Sequence, residues 1–344
     1  MKIIIDKAIP FIEGVLEPYG EVHYLDGQSI SAADVKDADA LIIRTRTRCG
    51  SALLDGSSVK IISTATIGVD HIDQDYCKAK GIYVRNAAGC NAGGVMNYVL
   101  SSLYGIASRK RIKLSGCKVG VIGVGNVGSR VASTLQILGF NTLLCDPPRA
   151  EAEGPAQFCD LDFLLRNSDV VTMHVPLNPT TRGMADAAFF SKMKLGAIFI
   201  NTCRGEVVVE ADLKEAIPKL GSVIIDTWCR EPDVDRELVE MADIATPHIA
   251  GYSYQGKLLG TAMAVRGVAR YFGIQDLYEF FPNPEGDLKD AVKLDLRGLS
   301  EGQIASALQY NYPVFTDDFM FRMNPGAFES LREHYRYRRE FFID

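Results

Sequence analysis

The stretch Lys118-Val-Gly-Val-Ile-Gly123-Val-Gly125-Asn-Val-Gly128-Ser-Arg130 decides the fold. Lys118 to Gly123 opens the unit as a short strand. A helix is predicted over Ser129 to Leu138, and the chain returns as a second strand, Thr142-Leu-Leu-Cys-Asp146, so the whole reads as a βαβ unit. In that context the glycine spacing has a physical purpose. The glycines permit a tight turn and a close approach of backbone to a pyrophosphate, while the helix N-terminus offers amide donors. Asp146 ends the second strand eighteen residues after Gly128, where a carboxylate binds a ribose diol and repels a 2′-phosphate. The segment predicts NAD as cofactor, contacted by Gly123, Gly125, Asn126, Val127, Gly128 and Asp146, with Arg149 the one neighbour that would favour NADP.

Downstream, Asp169-Val-Val-Thr-Met173, Ala197-Ile-Phe-Ile-Asn201 and Ser222-Val-Ile-Ile-Asp226 are almost continuously apolar, as strands covered on both faces must be. Upstream, Ile3–Ile5, Ala40–Arg44, Val59–Ser63 and Ile82–Val84 predict a second parallel sheet with crossover helices. Asn91 stands as the N-cap of a buried helix running to about Arg109, and another helical stretch from about Tyr252 to Phe272 is expected to return the chain to the first domain. The expected organisation is α/β: a domain of residues 1–90 plus 253–275, a doubly wound domain of 91–252, and a small α+β appendage over 283–344. Ser300-Glu-Gly-Gln303 reads there as a capping box, and Asn324-Pro325 as an N-cap with proline at N1.

Composition excludes several classes. Of 344 residues, 37 are Lys or Arg and 43 Asp or Glu, a formal charge of −6 that argues against a broad nucleic-acid face. No apolar run approaches the roughly eighteen residues of a membrane span, and Asp6 interrupts the first apolar run too early for a signal peptide. The eight cysteines are scattered without a CxxC, which suggests reduced thiols in a cytoplasm and no metal site.

Three segments end strands on one side of the second sheet: Asn201-Thr-Cys-Arg204-Gly205, Asp226-Thr-Trp-Cys-Arg-Glu231-Pro232 and Thr246-Pro-His248-Ile-Ala-Gly251-Tyr252. They offer a fixed cation, a carboxylate and an imidazole. Oxidising an alcohol beside a nicotinamide needs such a set: histidine takes the hydroxyl proton, the carboxylate orients it, and arginine grips a substrate carboxylate.

With these motifs the chain resembles the D-2-hydroxyacid dehydrogenase family over nearly its whole length. The likeness is strongest to a branch with a C-terminal extension, through Thr64-Ala-Thr66, Ala88-Gly-Cys-Asn91, Gly123 to Arg130, Cys145-Asp-Pro-Pro-Arg149, His248 to Tyr252 and Phe328-x-x-Leu-Arg-x-His-Tyr-x-x-Arg-Arg-Glu340. The resemblance implies a flavodoxin-like substrate domain, a Rossmann NAD domain, a phosphorylated 2-hydroxy acid as substrate and a homodimer. It implies Arg204, Glu231 and His248 as catalytic residues, Thr45, Thr66 and Tyr252 at the substrate, and Asp146, Val175, Cys203, Asp226 and Gly251 near NAD. Asn97 stands where the branch usually carries glutamate, the loop from Pro176 to Gly183 follows the wider family, and the tail is shorter. Another dehydrogenase or reductase of the family, or an NAD-sensing binding protein on the same fold, are the alternatives at this point.

A phosphate is expected at Arg44-Thr-Arg-Thr-Arg48. If the strand from Ala40 continues, Arg44, Arg46 and Arg48 share one face, and Arg44 or Arg46 is the expected contact. His71 and His174 are read as packing or capping groups, Trp228 as core, and the arginines of a helix from Ala327 to Phe341 as a solvated or interface face. Phe328, Leu331 and Tyr335 form an apolar stripe on that helix, expected to meet a partner subunit.

Overall fold

The computed structural model describes residues 1–284 and 290–344. The chain divides into two compact units, Met1–Asn91 with Tyr254–Asp290, and Ala92–Ser253 with Ala291–Asp344. The appendage expected from residue 283 thus lies mostly within the second unit, and its residues 285–289 fall outside the described set.

In the first unit, β1 (Lys2–Asp6), β2 (Glu21–Leu25), β3 (Ala40–Ile43), β4 (Ile61–Thr64) and β5 (Tyr83–Asn86) form a parallel sheet in the order β2-β1-β3-β4-β5. The period of two is visible in the burial. Ile3, Ile5, Ile42 and Ile61 pack with Ala264, Val265 and Val268 of the helix Tyr254–Phe272, whereas Ile4, Leu41, Ile43 and Ile62 face Val35, Leu53 and Cys77 on the other side. The strand β2 was not anticipated. It is an edge strand with no fully buried residue, so it lacks the apolar run that marks its neighbours.

In the second unit, β6 (Lys118–Ile122), β7 (Asn141–Cys145), β8 (Val170–Met173), β9 (Ile198–Asn201), β10 (Ser222–Ile225) and β11 (Ile244–Ala245) form a parallel sheet ordered β11-β10-β9-β8-β6-β7. The order reverses between β6 and β8, and such switch points hold ligands in open sheets. The long helix Ala92–Lys110 buries sixteen of its nineteen residues, which is why it shows almost no polar face. One side of the sheet packs against it through Val119, Val121, Ile198 and Ile200, and Leu308 belongs to the same core.

The extension adds a two-stranded parallel sheet, β12 (Val292–Leu294) with β13 (Phe341–Ile343), and the helices Glu301–Asn311, Val314–Met323 and Phe328–Glu333. Ser300 and Gln303 make the expected capping box. Asn97 accounts for itself here: its Nδ2 donates to the Phe341 carbonyl at 2.7 Å and its Oδ1 accepts from the Phe341 amide at 3.0 Å, so a side-chain amide serves as a strand partner. A carboxylate at that position could accept but not donate. Asp318 takes the Ala245 amide at 2.7 Å, satisfying the sheet edge at β11.

Two expectations fail in the tail. The helix stops at Glu333 and does not run to Phe341, so Tyr335 lies beyond it. Phe328 is fully buried in a cluster with Trp228 and Phe321, and Leu331 packs against that cluster. The apolar stripe is covered by its own unit.

Candidate active site

The nucleotide end is built by packing constraints. Gly123 has φ of +81°, and a Cβ there would lie 2.8 Å from the His174 carbonyl carbon; a Cβ on Gly128 would lie 1.9 Å from the Gly123 oxygen. Gly125 is different, since a Cβ there would meet nothing within 4 Å. The outer glycines therefore serve helix–strand packing and the middle one faces open space. That space is a groove of about 710 Å³ lined by Val124, Gly125, Asn126, Ser129, Arg130, Ser133 and Arg149. Gly125 caps the helix Asn126–Ile137 without a side-chain bond, leaving amide donors for a ligand. The helix starts three residues earlier than predicted.

Asp146 follows β7. Its Oδ2 accepts from the Val124 amide at 2.7 Å and its Oδ1 from the Arg149 amide at 3.1 Å, which fixes the carboxylate beside the glycine loop. Arg149 is bound by both Glu153 oxygens at 2.7 Å and donates to the Val124 carbonyl at 2.6 Å. The cation that would have favoured NADP is already neutralised, so these residues fit NAD.

Beyond the carboxyl ends of β10 and β11 the structure brings Glu231 and His248 together, and Arg204 follows β9, its Nη1 donating to the Cys203 carbonyl at 2.8 Å. His248 has a left-handed φ of 56°, and its amide donates to the Asp226 carbonyl at 2.7 Å. Nδ1 lies 2.8 Å from Glu231 Oε2, so the carboxylate selects the tautomer that leaves Nε2 as the basic nitrogen. Glu231 Oε1 accepts from the Trp228 amide at 3.0 Å. Burial alone would raise the Glu231 carboxyl, but His248, that amide and Arg332 outweigh it and hold the group below its ordinary range.

Asp226 is the hidden organiser of the imidazole loop. Its Oδ1 accepts from Thr246 Oγ1 at 2.6 Å and from the Ile249 amide at 2.8 Å, and its Oδ2 from the Ala250 amide at 2.9 Å. At 1% exposure it holds this loop from within the packed unit. Burial raises its carboxyl. The Arg204 loop is held by Asn201, whose Oδ1 accepts from the Cys203 amide at 3.1 Å and whose Nδ2 donates to the Arg204 carbonyl at 3.2 Å. A Cβ on Gly205 would lie 1.9 Å from the Trp228 carbonyl carbon. Glycine is thus required for the Arg204 and Glu231 loops to meet. Asn201 and Trp228 position the site; only their places within the motifs hinted at it.

Burial pushes the Cys203 thiol up to about 11 and the His174 imidazole down to about 3. Both are neutral groups lining the β8 and β9 ends, and His174 pairs with Thr172 at 3.0 Å. Val175 follows His174, and Gly251 stands just before Tyr252, whose ring lies 6.0 Å from Tyr335 and 6.2 Å from Tyr337.

The first unit holds the other expected contacts. Its β3 ends at Ile43, and Arg44 to Thr47 make a turn closed by the Thr47 amide on the Arg44 carbonyl at 3.3 Å. The strand alternation assumed for three arginines is therefore absent. Arg44 binds the fully buried Asp6, Nε to Oδ2 at 2.9 Å, and is committed to that pair. Thr45 is exposed and Arg46 half-buried. Thr66 bonds Thr64 at 2.7 Å after β4.

Residues 103–250 match the family model for the NAD-binding domain of D-isomer specific 2-hydroxyacid dehydrogenases. A D-lactate dehydrogenase from Aquifex aeolicus, solved with NAD and lactic acid, has a TM-score of 0.68 at 26% identity, covering 83% of this chain and 100% of its own. The chain belongs to the D-2-hydroxyacid dehydrogenase family and is an NAD-binding oxidoreductase. Its full-length relatives are narrower in name: erythronate-4-phosphate dehydrogenases from Bacteroides fragilis, 42% identical over 99% of this chain and 97% of theirs, and from Yersinia pestis, 40% identical over 99% and 93%.

Proposed function

We propose that the protein oxidises 4-phospho-D-erythronate at C2 to 2-oxo-3-hydroxy-4-phosphobutanoate, a step the family resemblance ties to pyridoxal 5′-phosphate synthesis. The observation that carries the chemistry is the Glu231–His248 pair at 2.8 Å at the carboxyl ends of strands in an NAD-binding sheet. His248 Nε2 takes the C2 hydroxyl proton, and the Glu231 carboxylate stabilises the imidazolium that results. NAD, when bound, accepts the hydride. Arg204 supplies a planar cation for the substrate carboxylate, and Tyr252 stands beside the histidine loop. Thr45, Arg46 and Thr66 are the proposed substrate contacts of the first unit. The test is NAD reduction with a panel of 2-hydroxy acids, phosphorylated and not. Preference for the 4-phosphorylated acid is the expected result; equal turnover of D-lactate or D-glycerate would overturn the substrate assignment.

We propose a homodimer for a different reason from the tail stripe. The extension exposes Phe319, Met320 and Met323 at 58%, 51% and 68%, with Tyr310 at 88%. The first three share the helix Val314–Met323; exposed apolar side chains gathered in this way favour a protein contact, and a twofold pair is the commonest solution. Sedimentation should show a dimer that dissociates in Phe319→Glu/Met323→Glu. An unchanged mass in the double variant would remove this face from the interface.

A further inference from the structure

Arg332 stands on the short helix Phe328–Glu333 of the extension, in the second unit. Its side chain is 16% exposed, with the guanidinium 5.8 Å from the Tyr252 ring centroid and 5.4 Å from that of Phe328. An arginine carries five N–H donors. Among the described residues the Arg332 guanidinium makes one hydrogen bond, Nη1 to Glu329 Oε1 at 3.3 Å, and its buried Nε has none. Glu231 and Asp226 both feel this charge, yet among the described residues neither is hydrogen-bonded to it: the Glu231 oxygens are aimed at His248 and the Trp228 amide, and those of Asp226 at the histidine loop. A sequestered guanidinium with unmet donors is costly unless a ligand meets them.

We propose that Arg332 is a specificity residue of the dehydrogenase, its guanidinium receiving phosphate oxygens of the substrate beside Tyr252. The inference rests on the phosphorylated hydroxy acid proposed above. Arg204 serves the carboxylate, so the second anion of that substrate needs its own cation, and a planar fork suits a phosphate. The extension then adds a group to the site as well as a surface to the molecule.

The test is Arg332→Met, which keeps the stem that packs on Tyr252 and Phe328 and removes the charge. With unchanged NAD affinity as the control for folding, the ratio of kcat/KM for the 4-phosphorylated acid to that for its unphosphorylated analogue should fall about 10–100-fold, the range for a charged hydrogen bond; any effect through Glu231 acts on both acids and leaves the ratio unchanged. Equal loss on both acids, or none, overturns the proposal. Inorganic phosphate, titrated against the wild-type and Arg332→Met holoenzymes by thermal shift, gives a readout free of turnover. Phosphate should stabilise the wild type and not the variant, and identical stabilisation overturns the assignment. A wild type that binds phosphate through Arg332 but oxidises no phosphorylated acid would instead overturn the substrate reading.

Discussion

His248→Asn is expected to lower kcat for the hydroxy acid about 10²–10⁴-fold, the usual contribution of a positioned general base, with NAD affinity preserved. Asparagine retains a polar amide but has no basic nitrogen to take the hydroxyl proton. Glu231→Gln separates the partners, because its amide oxygen can still accept the Trp228 amide now bound by Oε1 at 3.0 Å while the charge is gone. A carboxylate favours imidazolium over imidazole, and oxidation needs imidazole. Removing the charge should therefore move the acid limb of the oxidation profile to lower pH as maximal kcat falls. An unmoved limb would show that Glu231 does not act on His248. The pair also has a stability consequence. Since the Glu231 carboxyl is held below its ordinary value of 4.5, its stabilisation is complete above that pH and is lost as pH falls through the depressed folded value.

The second large effect is on stability. Phe328→Ala should cost about 3–5 kcal/mol in denaturant unfolding, the range for emptying a buried aromatic site. Phe328 is fully buried, its ring 5.8 Å from Phe321, which in turn lies 5.8 Å from Trp228. Trp228 donates its indole N–H to the Thr246 carbonyl at 2.9 Å and its amide to Glu231. A cavity at Phe328 should thus lower kcat as well as stability, because it loosens the residue that ties the carboxylate loop to the histidine loop. A loss below about 1 kcal/mol, typical of a surface substitution, would mean that the extension folds apart from the catalytic sheet.

What the sequence determined by itself was whatever local spacing encodes. The apolar runs of β3, β6, β8, β9 and β10 announce covered strands, and the spacing of Gly123, Gly125, Gly128 and Asp146 announces an NAD-binding domain. The order of Arg204, Glu231 and His248 follows from strand ends that share one side of a parallel sheet. Tertiary structure decided where polar side chains find partners, because those partners lie far along the chain. Arg44 turns to Asp6, 38 residues away, and Asn97 pairs with Phe341 across 244. No local pattern announces either. The tail arginines read as a solvated face because charge without a visible partner is ordinarily solvated. In the folded chain Arg338 meets Asp317 at 2.5 Å and Arg332 lies against Tyr252. Burial of a charge is set by the whole packed unit, so only the fold could show that Arg332 stands beside the histidine loop.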